Sequence, residues 1–67
     1  MKVTVNRTTV DLFEGARVQD AVLRYCVRRK IKPALARTAS VFDAYGHQIG
    51  LDAPLHEGQT IKCKIAE

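Results

Sequence analysis

Two thiols, two imidazoles and a set of lysines and arginines are the side chains here that could do chemistry. Cys26 and Cys63 lie far apart in the chain and match no Cys-x-x-Cys pattern, so no redox or zinc motif is spelled out. Both fall on faces expected to point inward, on two elements that pack together. Two readings are open: a close pair forming a disulfide or a thiol relay, or two buried thiols acting as small apolar side chains. His47 and His56 each sit in a turn, near Asp43, Asp52 and Glu57, with no second histidine at ligand spacing. A metal site would have to be assembled from separate loops, and none is expected. No nucleophile–base pair, glycine-rich phosphate loop or carboxylate pair can be read. The expectation is a non-catalytic protein without cofactor or metal.

The cations form two groups. Lys62 and Lys64 alternate outward in the last apolar-polar run, and Lys2 and Thr4 would lie beside them if the first and last strands pair. That makes a basic patch on an open sheet, either a partner-binding surface or lysines that keep the face solvated and discourage edge pairing. Arg24 and Arg28 are four residues apart on one helix face, with Arg17, Lys30 and Lys32 near its ends. They could contact phosphates or an acidic partner, or simply be solvated. No aromatic residues interleave with them for base stacking, so nucleic acid is the weaker of the two partners. Tyr45 and Leu51, near a turn, either form an apolar docking patch rimmed by cations or cover the open end of the core.

Several elements must position these groups. Lys2 to Asn6 and Thr8 to Phe13 alternate in polarity, with Val3, Val5, Val10 and Leu12 inward, and Asn6-Arg7 reads as a hairpin turn. Glu14-Gly15 breaks the second strand. From Arg17 to Lys30 the period lengthens: Val18, Ala21, Val22, Tyr25 and Cys26 mark one face of an amphipathic helix. Asp20 in its first turn and Arg28, Arg29 and Lys30 in its last suit the helix dipole. Arg17 is a poor capping residue, and Pro33 stops the helix by Lys32 at the latest. Pro33 to Thr38 reads as a connector and Ala39 to Asp43 as a strand with Val41 or Phe42 inward. Tyr45-Gly46-His47 is a turn with Gly46 at positive φ, and Gln48 to Leu51 a short extended segment. Asp52 to Pro54 and His56 to Gln59 are turns flanking Leu55. Thr60 to Ile65 alternates, with Ile61, Cys63 and Ile65 inward.

The order of these elements predicts an α+β fold, a β-grasp mixed sheet of four to five strands on one main helix, with the first and last strands adjacent at the sheet centre. Sixty-seven residues suffice for one domain, 1–67. A chain this short buries only about 60% of its unfolded surface, so its stability margin is thin. With no Trp, two Tyr and two Phe, the core must come from Val, Ile, Leu and Ala. The formal net charge of +4 suits an acidic partner. No apolar run approaches the roughly 20 residues a membrane helix needs, and no signal peptide is visible. A cytoplasmic monomer with reduced thiols is expected.

Three segments carry a family resemblance. Val3-Thr4-Val5-Asn6 looks like an opening strand and turn. Glu14-Gly15-Ala16-Arg17-Val18-Gln19-Asp20-Ala21-Val22 resembles a Gly-x-Thr-Val-x-Asp-Leu-Leu helix start, with Arg17 where Thr is usual. Pro54-Leu55-His56-Glu57-Gly58-Gln59-Thr60-Ile61 resembles a Leu-x-x-Gly-Asp-x-Ile turn, with Gln59 where Asp is usual. Together they resemble the small sulfur carriers of thiamine and molybdopterin synthesis, within the ubiquitin-like superfamily. The resemblance implies a β-grasp fold and, for a carrier, an adenylating enzyme as partner. Such carriers present a terminal Gly-Gly that threads a narrow channel in that enzyme. The sequence given ends Ala66-Glu67, which is expected not to enter one. The leading expectation is therefore a binding module that docks a protein through its sheet face. The alternatives are a sulfur carrier or a degenerate relative of one, and, more weakly, an RNA-binding module similar to TGS domains.

Overall fold

The computed structural model describes residues 1–65. Strand β1 (Lys2–Val5) runs antiparallel to β2 (Thr8–Asp11), in a register pairing Val5 with Thr8 and Lys2 with Asp11. The two residues between them, Asn6 (φ 49°) and Arg7 (φ 68°), are both left-handed, the geometry that matches a two-residue turn to strand twist. A non-glycine pair is strained there, and Asn6 carries a compensation. Its side-chain amide donates to the Cys63 carbonyl (2.8 Å), and its side-chain oxygen accepts from the Cys63 N–H (2.9 Å).

Helix α1 spans Val18–Arg28, within the range the periodicity predicts, and buries Val18, Ala21, Val22, Tyr25 and Cys26. It starts well despite Arg17, because other groups satisfy its first donors. The Val18 and Gln19 N–H groups donate to the Ala53 and Leu51 carbonyls (2.9 and 2.7 Å). The Arg17 N–H donates to Asp20 Oδ2 (2.9 Å). The helix ends before Pro33 can act: Lys30 turns left-handed (φ 59°), and the Ile31 N–H closes onto the Cys26 carbonyl (2.8 Å). The segment expected as a plain connector is instead a 3-10 helix over Pro33–Thr38. Proline serves as its first residue, where a missing N–H costs nothing.

Strands β3 (Ser40–Asp43), β4 (Gln48–Ile49) and β5 (Thr60–Lys64) complete a five-stranded mixed sheet of order β2-β1-β5-β3-β4. β1 and β5 are parallel neighbours, with Thr4 level with Thr60 and Val5 with Ile61. This is the β-grasp arrangement, an α+β fold with one main helix across one sheet face. Val41, not Phe42, points inward on β3. The core joins Val3, Val5, Val10, Val41 and Ile61 of the sheet to Val18, Val22 and Cys26 of the helix, each at most 1% exposed. Among the described residues no helix is long and apolar enough to cross a membrane.

Candidate binding surface on the open sheet face

Strand alternation sends Ile61 and Cys63 into the core and Thr60, Lys62 and Lys64 to the face that α1 leaves uncovered. On β3 the same alternation presents Ser40 and Phe42, with Phe42 opposite Lys62 and Ser40 opposite Lys64. Phe42 is half-buried, and the Lys64 ammonium stands 5.7 Å from its ring centroid. A cation over an aromatic face at that distance is attracted by the ring quadrupole. On the other side of β5, a shallow hollow of about 420 Å³ is lined by Thr4, Asn6, Arg7, Thr60, Ile61 and Lys62.

The four-residue patch expected from the sequence is thus split. Parallel pairing places Thr4 level with Thr60 and close to Lys62. Lys2 lies at the other end of β1, where the Gly58 N–H donates to its carbonyl (2.7 Å). With a rise of roughly 3.3 Å per residue, Lys2 stands about 13 Å back from the level of Lys62. Its surroundings are acidic: Asp11 is its cross-strand partner and the Glu57 carboxylate accepts from its N–H. Arg7 and Phe42 stand where Lys2 is expected from the sequence. Arg7 was legible as the residue closing the turn after β1, once the β1/β5 register is known. Phe42 follows from placing Val41 inward.

Tyr45 is 88% exposed on the β3–β4 turn. Asp43 organises that turn, its Oδ1 accepting from the N–H groups of Tyr45 and His47 (2.9 Å each), while Gly46 supplies the positive φ (86°). These bonds favour the ionised carboxylate. The His47 N–H is the largest influence holding the Asp43 pKa below its ordinary value; the Tyr45 and Gly46 N–H groups and the imidazole, 3.7 Å from Oδ2, add to it. Leu51, which the sequence groups with Tyr45, is half-buried, packs against the core and lines a different groove beside α1.

Arg24 and Arg28 lie on the helix side of the molecule, away from the sheet patch. Arg28 Nη1 donates to the Thr9 carbonyl (3.2 Å), tying the end of α1 to β2. Cys26 and Cys63 are free and buried. Burial pushes both thiols up, and Cys63 reaches about 11 with Cys26 as a second, electrostatic cause. At neutral pH only roughly one Cys63 in ten thousand would be thiolate, which makes it a poor nucleophile. His56 sits in a separate turn, where its N–H donates to Gln59 Oε1 (2.9 Å). Among the described residues no three His, Cys, Asp or Glu side chains gather as metal ligands. The sheet face thus carries two exposed lysines, an arginine, hydroxyls and an aromatic ring.

No protein-family model matches the chain, and no curated protein matches it.

Proposed function

We propose that this chain is a small, non-catalytic β-grasp module that docks a protein partner through its open sheet face, as a monomer in the cytoplasm. The observation that carries this reading is the Lys62–Lys64–Phe42 cluster on β5 and β3, where the Lys64 ammonium lies 5.7 Å from the Phe42 ring on the face α1 leaves bare. With Thr4 and Arg7 beside it, this cluster suits an acidic protein surface bearing an exposed aliphatic or aromatic group. Tyr45, 88% exposed on the β3–β4 turn, is proposed as a further contact of the same partner. A ubiquitin-like kinship belongs to this proposal. It is supported by Gly15 (φ 84°) and Gly58 (φ 78°), which take the left-handed conformation in the two turns that resemble the sulfur carriers.

The test is affinity capture from the source cells with wild type, Lys62→Glu/Lys64→Glu and Arg24→Glu/Arg28→Glu, followed by calorimetry with the purified partner. The sheet variant should lose at least tenfold in affinity and the helix variant less than threefold. The reverse pattern would move the site to the helix. Retention of RNA, with affinity falling steeply as salt rises, would favour the TGS-like alternative. The sulfur-carrier alternative, with an adenylating enzyme as partner, depends on a Gly-Gly end. Ala66 and Glu67 lie outside the described residues. Intact mass of the native protein decides it: a species carrying a Gly-Gly end or a thiocarboxylate would replace the present reading.

A further inference from the structure

Four large apolar side chains stand exposed among the described residues: Phe13 (62%), Leu23 (44%), Val27 (59%) and Tyr45 (88%). Three of the four meet on the side of the molecule opposite the sheet patch. Phe13, Leu23 and Val27 line a groove of about 270 Å³ with Asp20 and Arg24. A second hollow, about 550 Å³, shares Asp20 and Leu23 as its wall and has Pro33, Ala34 and Leu51 on its far side, with Arg37 at its rim. The two hollows join into one band across the exposed side of α1. Asp20, Leu23, Arg24 and Val27 recur at three- and four-residue spacing, so they form a continuous outward line on α1. An apolar stripe of this kind, rimmed by polar groups, is the usual form of a docking surface.

The charges select the occupant. Asp20 Oδ2 already accepts from the Arg17 N–H (2.9 Å). Among the described residues, Arg24 and Arg37 enter no ion pair or side-chain hydrogen bond, and the two hollows together carry these two arginines against the single carboxylate of Asp20, a net positive balance. We infer that the band binds an acidic amphipathic helix from a protein partner, distinct from the sheet-face site. An apolar ridge at i, i+4 and i+7 would pack between Phe13, Leu23 and Leu51, and its flanking carboxylates would meet Arg24 and Arg37. A second copy of this chain fits poorly, because it would set a band carrying two arginines and one carboxylate against another of the same net charge. A flat bilayer fits poorly as well, because two concave hollows either side of Leu23 suit a ridge.

The test uses the full chain, ¹⁵N-labelled, titrated with a 16-residue peptide of leucines at helical spacing and glutamates elsewhere. Two control peptides carry lysine for glutamate or a scrambled order. The acidic peptide should shift the amides of Phe13, Asp20, Leu23, Val27 and Arg37 saturably, and the lysine peptide should bind at least tenfold more weakly. Leu23→Asp/Val27→Asp should lose at least tenfold in affinity, while Lys62→Glu/Lys64→Glu stays within twofold. If the double aspartate variant fails to fold, Leu23→Ser alone should lose at least threefold. Shifts on β3 and β5 instead, equal affinity for the lysine peptide, or no saturation by 1 mM would overturn the inference. So would concentration-dependent dimerisation through α1, or tighter binding to vesicles of anionic lipid than to the acidic peptide. The sheet-face proposal survives each of these outcomes, and the first would support it.

Discussion

The two sides of this molecule are finished differently. On the sheet side, Asn6 bonds the Cys63 backbone twice, Asp43 gathers the N–H groups of its turn, and Lys64 rests over Phe42. On the helix side, Phe13, Leu23 and Val27 stand exposed and Arg24 and Arg37 are not held by a described partner. A small domain exposes polar groups at little cost, whereas exposed apolar area forfeits roughly 25 cal/mol for each Å² left in water. The sheet side therefore contributes to the stability of the isolated fold. The helix side carries side chains that stabilise it little until something covers them.

The largest expected effect tests the sheet half of that contrast. Asn6→Ala removes both bonds to Cys63 and leaves a β-carbon in a left-handed position, for a loss of about 2–3 kcal/mol. Asn6→Gly relieves the backbone and isolates the amide, so it should cost less than Asn6→Ala but still about 1–2 kcal/mol. Leu23→Ser, on the other side, should stay within about 1 kcal/mol because the side chain is already 44% exposed. Urea denaturation of the three variants reads the difference. Equal losses for Asn6→Gly and Leu23→Ser would show that the two sides are not finished differently at all.

That contrast also separates what the chain announces from what it conceals. Val3, Val5, Ile61 and Cys63 point inward at strand period, and Val18, Ala21, Val22, Tyr25 and Cys26 at helical period, so the layers, the hairpin turn and the β1/β5 neighbourhood could all be read. Two things could not. The register between β1 and β5 depends on where Gly58-Gln59 turns, and a parallel pair has no hairpin to fix it; alternation alone therefore groups Lys2 with Lys62, although the register sets them apart. Phe13, Leu23 and Val27 fall off every inward stripe, and a single exposed apolar residue is ordinary. Only the fold, bringing the end of β2 against the outer line of α1, shows that they meet. The 3-10 turn over Pro33–Thr38 was hidden for a similar reason, since its six residues carry too little period to distinguish it from a loop.

A middling effect probes the layer between the two sides. Cys63 is held near 11 by burial and by Cys26, against an ordinary value of 9.0. A thiol whose folded pKa is raised keeps its proton in the fold and loses it on unfolding, so stability falls as pH rises from about 9 to about 11. Cys63→Ala should show a shallower fall over that window than wild type, by denaturant melts at matched pH. Native wild type should also react with a thiol reagent far more slowly than unfolded chain. Rapid native labelling of Cys63 would mean that the helix and sheet part locally.

The smallest effect concerns Asp43, at the edge of the sheet patch. The His47, Tyr45 and Gly46 N–H groups and the His47 imidazole hold its pKa below the ordinary value of 3.8. A carboxylate of lowered folded pKa contributes stability that is complete above the unfolded pKa and fades as pH falls through the folded one. Because the group is open to solvent, the contribution is modest and screened by salt. Asp43→Asn preserves an oxygen for the Tyr45 and His47 N–H groups but removes the charge. Wild type and variant should differ at pH 7 and converge as pH is lowered through the folded pKa of Asp43, with the gap narrowing in high salt. Parallel curves across that range would mean that hydrogen-bond geometry alone shapes the turn. In that case Asp43→Asn should leave Tyr45 presented as before, with partner affinity at the sheet face unchanged.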